Sequence, residues 1–209
     1  MEPTLEPEPA AASAIAGERL PLLRRFTQAL AEQGEERGLI GPLELPRLWT
    51  RHVLNSALVA PLLRPGLVGD VGSGAGLPGV VLAIVRPDVR FVLIEPMERR
   101  VLWLQEQVEH LGLENVSVLR ARAEEAVLTE SLDQVTARAV SALSKLIPLT
   151  APLVRAGGEL VLMKGVNAEK EIVAAEKQIR RFRLSPPEVV VLGDGVLSEV
   201  TRVVRATVG

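Results

Sequence analysis

Cysteine is absent from this chain of 209 residues, and histidine occurs only twice. Without a thiol the protein has no disulfide, no thiolate zinc site, no iron–sulfur cluster and no cysteine nucleophile. The two histidines, His52 and His110, are too far apart in sequence to form a local pair of metal ligands. We therefore exclude thiol chemistry and expect no metal.

Long uninterrupted apolar segments are also missing. The longest uncharged stretch near the middle, residues 71–85, contains four glycines and a proline and is too short to cross a bilayer. The first ten residues are acidic and proline-rich, whereas a signal peptide is basic and then apolar. We therefore predict a cytoplasmic protein. The net charge of −2 does not exclude a nucleic-acid partner, because the local field at the binding face decides.

The composition divides the chain into three parts. Residues 1–13 contain three prolines and three glutamates and bring little apolar surface, which predicts a disordered tail. Residues 14–64 carry apolar side chains at helical spacing, first over 15–33 and then over about 43–63, which predicts an N-terminal helical segment. Residues 65–209 follow as the main domain.

From residue 67 onward, short apolar runs alternate with amphipathic stretches. This alternation predicts a parallel sheet with helices on both faces. The clearest helix, over 98–111, places Val101, Leu104, Val108 and Leu111 on one face. After a helix near 168–182, two valine-rich runs joined by a short glycine-containing turn predict an antiparallel hairpin. The predicted fold is α/β, with a Rossmann-like, mostly parallel mixed sheet.

A glycine-rich loop is the sharpest feature of the sequence. Residues 69–79 read Gly-Asp-Val-Gly-Ser-Gly-Ala-Gly-Leu-Pro-Gly and follow the first predicted strand. Gly72, Gly74 and Gly76 allow the backbone to turn tightly and to approach a ligand closely. Open α/β sheets bind nucleotide cofactors at this point, at the carboxyl ends of their strands. We therefore place a cofactor on this loop.

The residues around the loop indicate which cofactor it binds. Leu77 stands where the dinucleotide pattern needs its third glycine, and no Gly-Lys-Ser/Thr phosphate loop is present. The spacing of Asp70 and the glycines resembles the S-adenosylmethionine loop of class I methyltransferases. A carboxylate at Asp70 attracts a sulfonium and an ammonium group. Glu95, at the end of the second strand, would accept hydrogen bonds from both ribose hydroxyls. The alternative is a glycine-rich turn followed by a solvated glutamate.

Several further segments together resemble one family. They are DVGSGAGLPGVVLAI at 70–84, Arg51-His52-x-x-Asn55-Ser56, RAEE at 122–125, ARAVSALSKL at 137–146 and Met163-Lys164-Gly165. In these segments the chain resembles, over 47–165, the ribosomal RNA methyltransferase family long called glucose-inhibited division protein B. Its members methylate guanine N7 in the helix 18 loop of 16S ribosomal RNA.

The resemblance implies the activity, the partner and part of the site. It implies methyl transfer from S-adenosylmethionine to a guanine N7, with 16S ribosomal RNA or the small subunit as partner. We separately expect a monomer. By the resemblance, five residues contact the cofactor: Gly72, Leu77, Ala123, Glu124 and Arg138. Taken alone, Glu124 and Glu125 would more often be acids at the start of a helix, where the dipole favours them. The family's Trp-Asn…Asn-Leu-Thr stretch is absent before Arg51, so no contact is assigned there.

The acceptor side of the site is predicted from strand ends and one helical turn. Arg138, after the fourth strand, would hold the methionine carboxylate or a substrate phosphate, and Lys164, after the fifth, would meet an RNA phosphate. Arg51, His52 and Asn55 share one turn, and the last two would read a base edge. We take Arg138, Lys164 and His52 as catalytic. The alternatives are exposed surface cations and a histidine that packs its helix.

The chemistry of guanine N7 agrees with a site that is poor in acid–base catalysts. This nitrogen carries no proton, so the enzyme needs only to align donor and acceptor. Methylation of pyrimidine C5 needs a cysteine. Enzymes that methylate an exocyclic amine usually carry an Asn/Asp-Pro-Pro-aromatic motif after the fourth strand. In this chain the corresponding residues 136–140 are Thr-Ala-Arg-Ala-Val, which lack that motif. Trp49 and Trp103 are large enough to stack on a flipped base, but the position of Trp103 between Leu102 and Leu104 favours the core. Methylation of another RNA position, a small molecule or a protein remains the alternative.

Overall fold

The computed structural model describes residues 4–209, in which seven strands form one sheet. The strand order is β3-β2-β1-β4-β5-β7-β6, and β1 to β5 are parallel while β7 runs antiparallel between β5 and β6. This confirms the mixed sheet and its terminal hairpin, although the connection over 193–200 is longer than a short turn. The strands are β1 Leu67–Val71, β2 Arg90–Ile94, β3 Val116–Leu119, β4 Leu132–Arg138, β5 Val154–Lys164, β6 Glu188–Leu192 and β7 Thr201–Thr207.

The helices match the sequence best where one apolar face is continuous. The helix predicted over 98–111 has these bounds, whereas the helix predicted near 168–182 is broken at Ala175. The α-helices are α1 Ala11–Ala16, α2 Leu20–Gln33, α3 Asn55–Ala57, α4 Gly79–Val85, α5 Glu98–Leu111, α6 Leu143–Thr150, α7 Ala168–Ala174 and α8 Glu176–Arg181.

The second N-terminal helix, predicted over about 43–63, is wrong as a continuous element. The chain instead passes through a 3₁₀ turn at Leu45–Arg47, a π-helix at Leu48–Leu54, α3, and a 3₁₀ turn at Ala60–Leu62. Both 3₁₀ turns contain a proline, which lacks the N–H needed to continue an α-helix. The π-helix carries Arg51 and His52, and π-helical turns are frequent at functional sites.

The parallel strands β1, β2 and β4 are largely buried on both faces, whereas the edge strand β3 is only partly buried, and alternate residues of the buried strands enter two separate cores. In β2, Phe91 and Leu93 join the core under the N-terminal helices, α4 and α5, whereas Val92 and Ile94 join the core under α6 to α8. The N-terminal helices therefore share a core with one face of the sheet. The domain division at residue 65 stays a prediction.

The disordered tail predicted over 1–13 is wrong for residues 4–13, and residues 1–3 lie outside the described residues. Glu6 accepts hydrogen bonds from the backbone N–H and the hydroxyl of Thr50, and Glu8 pairs with Arg24 at 2.6 Å. Ala12 is fully buried in α1. The acidic side chains that suggested disorder are here bonded to a cation and to a backbone N–H and a hydroxyl of the helical segment. Among residues 4–209, no helix is both long enough and apolar enough to span a bilayer.

Replacement of Gly79, at the start of α4, by alanine should lower the free energy of unfolding by about 1–3 kcal/mol. An added Cβ would lie 2.4 Å from Asp70 Oδ2 and 2.5 Å from Leu93 Cδ2, both in the core. Urea unfolding measures the change. Gly165→Ala is the control, because its Cβ would meet nothing within 4 Å. Equal unfolding midpoints for the two variants would contradict this packing.

Candidate active site

The glycine loop lies where the carboxyl ends of β1 and β2 meet. Gly72, Gly74 and Gly76 have φ angles of +71°, +54° and +91°, which side chains rarely adopt. The Gly72 N–H donates to the carbonyl of Ile94 at 2.8 Å, so the loop is fastened to the end of the neighbouring strand. The loop therefore has the tight turns that the sequence predicted, and its contact with a cofactor stays a prediction.

Glu95 bonds the glycine loop with one carboxylate oxygen and the residue that precedes α5 with the other. One oxygen accepts from the Gly74 N–H and the other from the Met97 N–H, each at 2.9 Å, and the residue is 2% exposed. The sequence predicted Glu95 as a partner of ribose hydroxyls. A carboxylate has further lone pairs for such bonds. The structure adds a loop-fixing role that the sequence did not reveal.

Asp70 is fully buried beneath the loop, which corrects the predicted direct contact with the cofactor. One carboxylate oxygen accepts from the Gly79 N–H at 3.1 Å, and this bond joins the end of β1 to the start of α4. Burial raises the pKa of Asp70 to about 7, although the hydrogen bonds and the charge of Arg138 act in the opposite direction. Asp70 therefore shapes the loop from below and does not line its surface.

A hydrogen-bonded chain of three side chains fixes Arg138. Its Nη2 lies 2.8 Å from Nδ1 of His52, and Nε2 of His52 contacts a carboxylate oxygen of Glu44. Because arginine only donates, Nδ1 must accept, and the neutral ring carries its proton on Nε2, which donates to Glu44.

The pKa values of this chain agree with its hydrogen bonds. Burial and the charge of Arg138 lower the pKa of His52, despite the opposing effect of Glu44. Burial raises the pKa of Glu44, but hydrogen bonds from Arg47 and His52 prevail and bring it to about 2. Burial lowers the pKa of Arg138 to about 10, so it stays charged at neutral pH. The three hydrogen-bonded side chains are therefore a carboxylate (Glu44), a neutral imidazole (His52) and a guanidinium (Arg138).

This arrangement corrects the predicted role of His52. Both ring nitrogens are engaged by protein groups, so the imidazole has no free nitrogen to read a base edge or to move a proton. His52 is therefore a positioning residue that orients Arg138. Glu44, which completes the chain, was missed because it precedes His52 by eight residues in an irregular segment without a helical repeat.

Lys164 is not the free cation that the sequence predicted. Its side chain is 8% exposed, and its Nζ donates to the Ser141 carbonyl at 2.8 Å and pairs with Glu171 at 2.7 Å. Glu171 also accepts from the Leu143 N–H. These bonds brace the segment after β4, where Ala139 has a φ of +55°. Lys164 thus holds the backbone next to Arg138, and contact with an RNA phosphate would require this ion pair to open.

Two clefts flank the loop at the carboxyl edge of the sheet. The larger, of about 520 Å³, contains Arg138 and the predicted RNA residues Arg51, Asn55 and Lys164 in its wall. Arg51 pairs there with Glu199. The smaller, of about 400 Å³, is lined by residues that follow β2 and β3: Pro96, Met97, Arg120, Ala121, Arg122 and Glu125.

The remaining predicted residues divide into two groups. Ala123 and Glu124, which the resemblance assigns to the cofactor, belong to a 3₁₀ turn at Ala123–Glu125 next to the smaller cleft. Leu77 is buried in the core below the loop. Trp49 is 4% exposed, so it does not stack on a flipped base, and Trp103 is fully buried in the core, the place that the sequence favoured for it. Trp103 instead donates to the Ala75 carbonyl at 3.0 Å and supports the loop.

Unpaired buried polar atoms test whether these residues fit S-adenosylmethionine. Among residues 4–209, the buried atoms without a hydrogen-bond partner include Asn55 Oδ1, in the wall of the larger cleft, and Arg100 Nε. Arg100, which the sequence analysis did not single out, has its Nη1 4.0 Å from the position of a Cβ on Gly74. An acceptor and a cationic donor suit a ligand that carries an ammonium and a carboxylate. The residues present therefore fit the cofactor. Within the same range, no group of histidine and carboxylate side chains could hold a metal.

Comparison with known proteins decides the family. A family model described as rRNA small subunit methyltransferase G matches residues 19–197. The chain belongs to this family. It is 71% identical to Ribosomal RNA small subunit methyltransferase G of Leifsonia xyli subsp. xyli, with 100% of both chains covered. It is 69% identical to the protein of that name from Clavibacter michiganensis, with 98% and 97% of the chains covered.

Solved structures show the same fold at low sequence identity. A SAM dependent methyltransferase from Aquifex aeolicus aligns with a TM-score of 0.54 and 21% identity, over 71% of this chain and 85% of that chain. TYW2 of M. jannaschii, in complex with AdoMet, aligns with a TM-score of 0.58 and 18% identity, over 77% and 76%. The predicted class I methyltransferase fold is confirmed. Family membership confirms S-adenosylmethionine as the cofactor.

Glu95→Gln should weaken S-adenosylmethionine binding by at least about tenfold. The amide retains the shape but loses the negative charge, and charge-assisted hydrogen bonds contribute about 1.5–3 kcal/mol each. Its NH₂ group would also face a backbone N–H in the place of a carboxylate oxygen. Calorimetric titration measures the change. Glu98→Gln is the control, since Glu98 is exposed and pairs with Arg120. Unchanged affinity in Glu95→Gln would remove Glu95 from the site.

His52→Asn should reduce the loss of stability on acidification. Because the pKa of folded His52 lies below 6.5, the unfolded chain takes up the proton first, and stability falls as pH drops from about 7 through the folded pKa. The slope in this window is at most about 1.4 kcal/mol per pH unit. The asparagine keeps an acceptor for Arg138 but does not titrate. Urea unfolding between pH 7.5 and 5 measures the difference. His110→Asn is the control. If the wild-type protein and His52→Asn lose stability equally between pH 7.5 and 5, the neutral imidazole of His52 is refuted.

Proposed function

We propose that this chain transfers the methyl group of S-adenosylmethionine to N7 of a guanine in the helix 18 loop of 16S ribosomal RNA. The family and its name support RNA of the small subunit as the substrate. The residues proposed to contact the cofactor are Gly72, Leu77, Ala123, Glu124 and Arg138. We further propose that it acts as a monomer in the cytoplasm.

One observation carries the choice of N7. The titratable groups beside Arg138 are already engaged: His52 has both nitrogens bonded, and Lys164 is paired with Glu171. No free general base therefore faces the cleft from these positions. Guanine N7 has an in-plane lone pair and no proton to lose, so it needs none. An exocyclic amine or a ribose hydroxyl must lose a proton during methylation, and this cleft suits those acceptors less well.

The protein acts in this proposal by alignment and by its electrostatic field. The bound cofactor supplies an electrophilic methyl group on a cationic sulfur. Glu95 and the glycine loop fix where the cofactor lies, and the His52–Glu44 pair fixes the guanidinium of Arg138 at the wall of the acceptor cleft. The planar fork of Arg138 then holds a carboxylate or phosphate oxygen in a defined orientation. Such positioning converts the transfer into an effectively intramolecular step.

Nucleoside mapping by mass spectrometry tests this function. 16S ribosomal RNA from cells with and without the protein is digested and compared oligonucleotide by oligonucleotide. The proposal expects one N7-methylguanosine in the helix 18 fragment that disappears without the protein. A change at another nucleoside would instead support the alternative of a different RNA position. An unchanged RNA would point to a small molecule or a protein as acceptor.

A further inference from the structure

The N-terminal segment, residues 4–10, lies against the irregular stretch that carries part of the active site. The Glu6 N–H donates to the Leu45 carbonyl at 2.9 Å. The Glu6 carboxylate accepts from the Thr50 N–H at 2.9 Å through one oxygen and from the Thr50 hydroxyl through the other. Glu6 therefore bonds residues on both sides of the point where the π-helix Leu48–Leu54 begins.

These bonds make Glu6 the N-terminal cap of the π-helix. The first N–H groups of a helix have no partner inside it, and Thr50 is the third residue of this one. The residue at the N-cap position is Arg47, whose guanidinium only donates and so cannot accept from these N–H groups. A carboxylate suits this place, because the helix dipole attracts negative charge to this end. The cap thus comes from a residue 44 positions earlier in the sequence.

The two residues that follow Thr50 hold Arg138. The Arg51 carbonyl lies 3.4 Å from Nη1 of Arg138, and His52 Nδ1 lies 2.8 Å from its Nη2. Both acceptors belong to the turn that Glu6 caps. A shift at the start of the π-helix would therefore move both acceptors together, because they directly follow the capped residue.

Neighbouring residues of the segment hold Glu6 in place. Glu8 binds Arg24 of α2 with both carboxylate oxygens, at 2.6 and 2.7 Å. Leu5 packs against the core under the N-terminal helices. Because Glu6 is fixed on both sides along the chain, less conformational entropy is lost when its carboxylate caps the helix. The family model begins at residue 19, so this segment lies outside the part of the chain that the model matches.

We infer that Glu6 is a positioning residue for methyl transfer, which caps the π-helix and thereby fixes the two acceptors that orient Arg138. This inference rests on the proposed function, because it assigns a residue to that reaction. Glu6 acts only through Arg138, so its removal cannot slow the reaction more than the loss of Arg138 itself. The alternative is that Glu6 only fastens the segment to the fold, which predicts lower stability and an unchanged active site.

Two carboxylates of the same segment form a matched pair of variants. Glu6→Ala removes the cap, whereas Glu8→Ala removes a pair with α2. We expect Glu6→Ala to lower kcat about tenfold at saturating S-adenosylmethionine and small ribosomal subunits, less than the loss of about a hundredfold that misplaced reacting groups can cause. Glu8→Ala should leave kcat unchanged. Glu6→Gln should recover most of the rate, because its amide oxygen accepts from the Thr50 N–H and its NH₂ group donates to the Thr50 hydroxyl.

Two further readouts separate positioning from stability. In the double variant Glu6→Ala/Arg138→Ala, kcat should equal that of Arg138→Ala alone, because the two residues act through one chain of contacts. The NMR resonances of the ring nitrogens of His52, which report its tautomer, should move in Glu6→Ala. The resonances of His110, the other histidine of the chain, should stay where they are.

Three results would overturn the inference. They are a wild-type kcat in Glu6→Ala, a double variant whose loss is the product of the two single losses, and a lower unfolding midpoint with unchanged His52 resonances. A wild-type chain that methylates no ribosomal RNA would instead refute the proposed function. The histidine resonances do not depend on activity, so they would then still test whether Glu6 fixes His52.

Discussion

Replacement of Arg138 by alanine should reduce methyl transfer to small ribosomal subunits about hundredfold at saturating S-adenosylmethionine. Arg138 lies at the end of β4, where His52 Nδ1 accepts from its Nη2 at 2.8 Å and the Arg51 carbonyl lies 3.4 Å from its Nη1. The substitution removes the charged group at the wall of the acceptor cleft, and a small displacement of the reacting groups there costs about a hundredfold in rate. The sheet should remain folded, because the side chain lies outside both hydrophobic cores.

Arg138→Lys and a distant arginine serve as controls. Lysine keeps the charge but lacks the planar fork, so it cannot bond His52 and an oxyanion together in the same geometry, and rescue should be incomplete. Arg90→Ala, at the opposite edge of the sheet, removes a pair with Glu130 and should leave turnover unchanged. Near wild-type turnover of Arg138→Ala at saturating cofactor would contradict the acceptor-side role. A change in cofactor affinity alone would then restrict Arg138 to the cofactor site.

Gly74→Val should abolish binding of S-adenosylmethionine while the protein remains folded. Gly74 has a φ of +54°, and a Cβ there would meet no atom of the protein closer than 3.7 Å. The cost to the fold is therefore the backbone strain, about 1–2 kcal/mol. The branched side chain would occupy the space through which a ligand approaches the loop. Strain would also weaken the bond from the Gly74 N–H to Glu95.

Gly112→Val separates strain from obstruction. Gly112 has a φ of +65° in the left-handed region, and a Cβ there also meets nothing within 4 Å, but it lies at the end of α5, away from the glycine loop. Both variants should lose similar stability in urea. Only Gly74→Val should lose the thermal shift that the cofactor gives the wild-type protein. Equal shifts with cofactor for Gly74→Val and the wild-type protein would refute the assignment of the loop.

The sheet and the glycine loop could be predicted from sequence because their signals are local. Strands β1 and β2 are largely buried on both faces and appear in the sequence as short apolar runs, and the helix over 98–111 shows one apolar face without interruption. The turn at residue 72 needs a positive φ, which glycine adopts most readily, so a glycine at this position marks the turn in the sequence. In these segments, propensity, pattern and burial agree.

The side-chain partners within the site could not be predicted, because they come from distant parts of the chain. From the sequence, Lys164 is predicted to be a free cation at the end of a strand. In the structure it pairs with Glu171 of α7. His52 reads as a base-edge donor until Glu44 and Arg138 engage both of its nitrogens. Both corrections turn a predicted substrate contact into a positioning role. The prediction of a disordered acidic tail was wrong for the same reason, because its partners Arg24 and Thr50 lie far along the sequence.

Transfer of a labelled methyl group in a purified system tests the central claim most directly. The chain is incubated with labelled S-adenosylmethionine and small ribosomal subunits that lack this methylation, and the RNA is digested and separated. The account predicts that the label appears as N7-methylguanosine in a single oligonucleotide from the helix 18 loop, and that Arg138→Ala slows its appearance about hundredfold. Label recovered in any other nucleoside, or in ribosomal protein, would contradict the account.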